Sequence, residues 1–266
     1  MGEAFGAPLC GSVTLWLIAV VVSLKFATSA QMFLDRFTGK GVRIAVIDSG
    51  VHALHPHVGG VAGGIGIRED GSLVDDHVDR LGHGTAVSAA IREKVPDAEI
   101  FAIKVFWQSL ATDIRSLTRA IALAAERDAH VINLSLGTAE MEHRQRLEEV
   151  LTTCRHTGSI VVAAHDDNGT RWLPGSLDEV AGVKADWTCD RHGYRVSPVN
   201  GRWLLTTSPY PRDIPGVPRE RNLSGISFAV ANATGFVARA LQAAPGSDLA
   251  RVFETLHEAA CVIPSA

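Results

Sequence analysis

The stretch GVRIAVIDSG, residues 41–50, decides how this chain is read. Ile44, Ala45, Val46 and Ile47 are consecutive and apolar, so neither face of the pleat is left for water. Such a run describes a strand buried on both sides, as in a parallel sheet. It stops at Asp48, where Ser49-Gly50 turns the chain. Working outward, similar runs recur at residues 100–105, 131–134, 160–163 and 180–183. Between them, Ile114, Leu117, Ile121 and Ala124 mark one face of a helix, and Leu147, Val150, Leu151 and Cys154 mark another. This alternation predicts an α/β fold: a mostly parallel sheet with helices on both faces. Five prolines interrupt residues 184–224, which read as loops with short edge strands. Ser247 then reads as the N-cap of a last helix facing inward through Leu249, Val252, Phe253 and Leu256.

The bulk properties set limits. A chain of 266 residues with 46% hydrophobic and 20% charged residues can bury a full core. Its 25 basic and 29 acidic side chains leave a net charge of −4 with no basic block, which argues against nucleic acid as a partner. Cys10, Cys154, Cys189 and Cys261 lack metal-binding spacing and read as buried free thiols. Residues 4–24 carry no charge. They fit a membrane anchor, a signal-like segment, or a stretch left untranslated if synthesis begins at Met32. Residues 1–31 are accordingly set apart from a single domain over 32–266, with membrane association possible through 4–24. Basic residues follow this stretch, so an anchor would leave the domain in the cytoplasm.

Three glycine-flanked segments carry the chemistry: IAVIDSG (44–50), GHGTAV (82–87) and SGISFA (224–229). Their Asp48, His83 and Ser227 are the residue types of a nucleophilic triad, in the chain order Asp, His, Ser. Singly, each segment has a plainer reading: Asp-Ser-Gly is a common turn, and a serine opening a helix is a common cap. With Ser135-Leu136-Gly137 as a fourth element, the set resembles the subtilases, the subtilisin-like serine peptidases. Residues 39–242 share the pattern: Asp48-Ser49-Gly50, His83-Gly84-Thr85, and Gly225-Ile226-Ser227-Phe228-Ala229. The resemblance implies a three-layer subtilisin-like fold and a serine endopeptidase acting on peptide or protein substrates; no cofactor is expected. Ser227 would be the nucleophile, His83 its base and Asp48 the orienting acid. Ser135, Leu136 and Gly137 would run alongside bound substrate.

Departures from the family pattern are informative. The family's second oxyanion donor is an asparagine side chain, but in VVAAHDDNG (161–169) its position falls on Asp167, with Asn168 next. Either a protonated Asp167 or the Asn168 amide would have to serve. Ala164, His165 and Asp166 would line the primary side-chain pocket. An acid there would favour a basic residue before the scissile bond, unless Asp166 faces solvent or caps a turn. The loop after His83 lacks room for the family's calcium-binding insertion. His52, His55 and His57 have no cysteine or acid beside them, so no metal is expected there either. About 40 residues precede Asp48, fewer than a typical prodomain, which favours a minimal cytoplasmic or tethered enzyme over an exported one. A catalytically weakened, peptide-binding subtilase is the alternative function.

Overall fold

The structure is a computed structural model and describes residues 33–260. The uncharged stretch 4–24, Met32, Cys10 and Cys261 lie outside the described residues. No helix among the described residues is long and apolar enough to cross a membrane.

Eleven strands occur in chain order. They are β1 (Arg43–Asp48), β2 (Gly63–Ile67), β3 (Leu73–Val74), β4 (Glu99–Lys104), β5 (Val131–Leu134), β6 (Ile160–Ala164), β7 (Asp166–Asp167), β8 (Thr170–Arg171), β9 (Ala181–Ala185), β10 (Tyr194–Val199) and β11 (Arg202–Thr207). The longer helices among the described residues are α1 (His83–Lys94), α2 (Ile114–Glu126), α3 (Arg144–Thr157), α4 (Ile226–Ala243) and α5 (Leu249–Ala260). Nine strands form one sheet in the order β10-β11-β9-β6-β5-β1-β4-β2-β3. From β11 to β2 every pairing is parallel, and only the edges β3 and β10 run antiparallel.

The opening run behaves as its sequence requires. β1 is an interior strand, paired with β4 on one side and β5 on the other. Ile44 and Val46 enter a core with α1, α4 and α5, while Ala45 and Ile47 enter a second core with α2 and α3. Alternate side chains thus feed opposite layers, which is why the run needed apolar residues at every position. The expected three-layer α/β architecture is present.

Local readings differ in three places. β11, within the proline-rich region, extends the parallel sheet beside β9, and β10 closes the edge with Pro198 in it. β2 was hidden by its glycines; a Cβ at Gly64 would lie 2.4 Å from His77 Cγ, so this strand packs too closely for larger residues. The last helix begins at Leu249 and its cap is Asp248, whose carboxylate accepts from the Arg251 N–H; the Ser247 hydroxyl instead donates to the Ala244 carbonyl.

Candidate active site

β1 delivers Asp48 at the C-terminal end of an interior parallel strand, the end where ligands bind in open α/β sheets. Asp48 is fully buried. Two glycines let α1 start directly above it. Gly50 has φ +93°, and a Cβ on Gly84 would lie 2.1 Å from the Gly50 carbonyl oxygen and 3.1 Å from Asp48. His83, the first residue of α1, places Nδ1 2.8 Å and 2.9 Å from the two carboxylate oxygens of Asp48. A carboxylate only accepts, so Nδ1 carries the proton and Nε2 of the neutral ring is left with its lone pair. Burial favours the neutral imidazole. The hydrogen bond and charge of Asp48, with Asp79 behind them, outweigh it and raise the His83 pKa above its ordinary value.

Asp79 braces this arrangement. One of its carboxylate oxygens accepts from the Ser49 hydroxyl and from the Leu81 and Gly82 N–H groups; the other accepts from the Thr85 N–H and hydroxyl. The Ser49 hydroxyl in turn accepts from the Gly84 N–H. One side chain thereby ties the turn after β1 to the first turn of α1. Burial alone would raise the Asp79 pKa. The hydrogen bonds, led by the Thr85 hydroxyl, prevail and hold it below the usual carboxylate range.

Ser227 is the second residue of α4, following Gly225 at φ +141°. Its backbone N–H belongs to the helix turn that has no intrahelical acceptor, at the positive end of the helix dipole. The Ser227 hydroxyl donates to the Ser135 carbonyl at 3.3 Å and makes no hydrogen bond to His83. A relay behind the site fixes that strand end: Thr234 donates to Asn133, Asn133 to the Ser135 hydroxyl, and Ser135 to the Ser227 carbonyl. His83 and Ser227 line one cleft of about 250 Å³ together with Ser135, Leu136, Gly137 and Ala164. Phe106, Leu110 and Trp172 add apolar walls.

The subtilase family profile matches residues 39–188, more than half of the chain. The chain belongs to the subtilase family. It is 29% identical over 238 residues to a thermophilic serine proteinase of Bacillus sp. (strain AK1), covering 83% of this chain and 56% of that protein. It is 27% identical to a thermostable alkaline protease of Halalkalibacterium halodurans, over 65% of this chain and 48% of that one. This subtilase therefore spans about half the length of the curated relatives it matches. Among solved structures, a cold adapted subtilisin-like serine proteinase superposes with a TM-score of 0.65 at 19% identity, covering 84% of this chain and 83% of that one. The prenylagaramide maturation protease PagA superposes at 0.58 and 25% identity, covering 80% and 79%.

The remaining expectations divide. β7 and β8 of this subtilase form a hairpin in which Asp167 pairs with Thr170. Asn168 (φ +48°) and Gly169 (φ +82°) are the left-handed pair of its two-residue turn. Asn168 is thus exposed at the hairpin tip and is not among the residues that line the cleft. Asp167 is half-buried at the hairpin's base and outside the cleft lining, with its carboxyl in no hydrogen bond. Asp166 does not offer a free charge to the cleft, because Lys184 Nζ lies 3.0 Å from its carboxylate. His165 is buried between β9 and Trp172, with its backbone bonded to both, and does not line the cleft. The sequence reading missed Asp79, Asn133, Thr234 and Trp172. For Asp79 a signal existed, an aspartate three residues before the glycine that opens α1.

Proposed function

We propose that this subtilase is a serine endopeptidase in which Ser227, His83 and Asp48 act as nucleophile, base and orienting acid. One observation carries the reading: both oxygens of a buried Asp48 face His83 Nδ1, at the head of a cleft that also holds a hydroxyl on a helix N-terminus. Ser227 Oγ attacks the peptide carbonyl while His83 Nε2 takes its proton. The Ser227 N–H holds the oxyanion, and the amine leaves with the proton from His83. Water, activated by the same imidazole, then frees the acyl group. To attack, the Ser227 hydroxyl exchanges its bond to the Ser135 carbonyl for one to His83, a rotation within the cleft. Asp167 supports a second oxyanion donor, because its half-buried carboxyl is without a partner and follows the cleft residue Ala164 on the same strand extension. A carboxyl donates only when protonated.

A fluorophosphonate probe is expected to label the chain, and Ser227→Ala to abolish the labelling. Cleavage of a peptide library follows as the second readout. Peptide binding without labelling would overturn the proposal in favour of a weakened, peptide-holding subtilase.

A further inference from the structure

A second and larger concavity, about 740 Å³, flanks the segments that carry His83 and Ser227. Its floor is Gly82, Thr85 and Ala86, where α1 begins. One wall is the loop bearing His52, His55 and His57, and the other is the segment 211–223 that leads into Ser227. Three hydrogen bonds hold these parts together. The His52 N–H donates to Thr85 Oγ1 at 3.0 Å, Arg212 Nη1 to the His57 carbonyl at 3.3 Å, and Asn222 Nδ2 to the Arg212 carbonyl at 3.1 Å.

Its charge is one-sided. Arg80 is paired with Asp76 at 2.9 Å, but Arg212 donates only to a carbonyl, and no carboxylate among the described residues pairs with Arg212 or Arg221. The acid on the floor, Asp79, is consumed by its five hydrogen bonds. The histidines do not converge as metal ligands: His55 Nδ1 accepts from the His57 N–H. Burial first, then the charges of Arg212 and His55, lower the His57 pKa. Leu81, Ile214 and Leu223 line the same concavity and are exposed despite being large and apolar. An apolar patch rimmed by unpaired cations is the signature of a binding surface.

The occupant follows from continuity with the cleft. Ser135, Leu136 and Gly137 wall the cleft on one side of Ser227, where the acyl half of a substrate would lie. Gly82 lines the second concavity and its chain neighbour His83 lines the cleft, so the two depressions adjoin at the start of α1. We infer that this concavity receives the substrate segment after the scissile bond, and that Arg212 and Arg221 select acidic side chains interspersed with apolar ones there. The inference rests on the peptidase reading above.

Two measurements on the full chain separate the inference from that reading. The first compares cleavage of quenched fluorescent peptides identical except for aspartate or asparagine at the second and third positions after the scissile bond. The aspartate peptide is expected to show about tenfold higher kcat/KM, the sum of two solvent-screened charge pairs. The ratio is expected to fall to near one in the Arg212→Gln/Arg221→Gln variant. The second uses Ser227→Ala and fluorescence anisotropy, with a labelled hexapeptide of alternating aspartate and leucine and its asparagine counterpart. The acidic peptide is expected to bind about tenfold more tightly, with the contrast shrinking in roughly 0.5 M salt. Equal cleavage and equal binding would overturn the inference while leaving the peptidase reading intact. Discrimination in binding without any cleavage would overturn the peptidase reading and keep the basic groove.

Discussion

The two halves of the candidate site are built differently. On the Asp48–His83 side every carboxylate oxygen is occupied. Asp48 takes the Ser49 N–H and the His83 ring, and Asp79 takes five donors from the turn and helix around them. Glycines with no space for a Cβ lock the backbone there. On the opposite side, the hairpin of β7 and β8 is held by only two residue pairs, its tip is exposed, and the Asp167 carboxyl has no partner. A buried network of satisfied acceptors tolerates no substitution without leaving an unpaired group. A two-pair hairpin in solvent tolerates much. Under the proposed function, the pair that handles the proton sits in the rigid half and the second oxyanion donor in the open one.

The largest expected effects remove the proposed nucleophile or break the rigid half. Ser227→Ala is expected to lower kcat by about 10⁴–10⁶-fold and Asp48→Asn by about 10⁴-fold, since the amide would present the wrong tautomer of His83 to the nucleophile. Active-site titration guards against traces of wild-type enzyme. Because the pKa of His83 is raised, and the base must be neutral, the acid limb of kcat/KM is expected to have its midpoint above pH 6.5. A midpoint at or below the ordinary histidine value would contradict the pairing.

The next effect tests whether the open half contributes at all. Asp167→Ala is expected to lower kcat by about 10²–10³-fold, the loss known for one oxyanion donor in subtilisin. Asp167→Asn, whose amide donates without an added proton, is expected to match or exceed wild-type activity. Wild-type rates in Asp167→Ala would leave the Ser227 N–H as the sole donor of this half.

Asp79→Asn should act on stability more than on chemistry. The new amide group would face the Thr85 N–H and hydroxyl, two donors that the carboxylate now accepts from. The cost is expected to be on the order of 3 kcal/mol at pH 7, or roughly 6–12 °C in Tm. The folded-state pKa of Asp79 is depressed, so its contribution is present above its unfolded value. It is lost as pH falls through the lower folded value. The stability gap between wild type and variant should therefore be widest above about pH 4 and close as pH falls further. Removing the Asp79 charge should also lower the acid limb set by His83.

Sequence legibility follows the same division. Residues 44–47 and the segments around Asp48, His83 and Ser227 could be read because their signals are local: an apolar run, a glycine pair, an alanine-rich helix start. Asp79 offered only a faint signal, its spacing before Gly82, because its value lies in donors spread over Ser49, Leu81, Gly82 and Thr85, which only the folded turn gathers. The basic concavity unites His57 with Arg212 across 155 residues, beyond any pattern search. β2 escaped because Gly63, Gly64 and Gly66 speak for a loop until the strand's tight approach to His77 and Asp76 is seen. For Asn168 the sequence carried two signals at once. Counting along VVAAHDDNG offered it as a donor, whereas Asn-Gly between two short extended runs is itself a hairpin signal.

That residue supplies the smallest and most discriminating effect. Asn168 holds φ +48°, a conformation asparagine tolerates better than alanine does, and Gly169 completes the turn at φ +82°. Asn168→Ala should therefore cost about 1 kcal/mol, confined to the hairpin, and change kcat/KM by less than about twofold. Asn168→Gly, free of the left-handed penalty, should restore the stability without altering activity. The contrast with Asp167→Ala, one residue away, is the sharpest measure of how the hairpin is used. A roughly tenfold loss in both Asn168 variants would mean that the side-chain amide reaches the oxyanion during turnover. The hairpin would then fold down over the cleft when substrate binds, and the open half would share in the chemistry on equal terms with the rigid one.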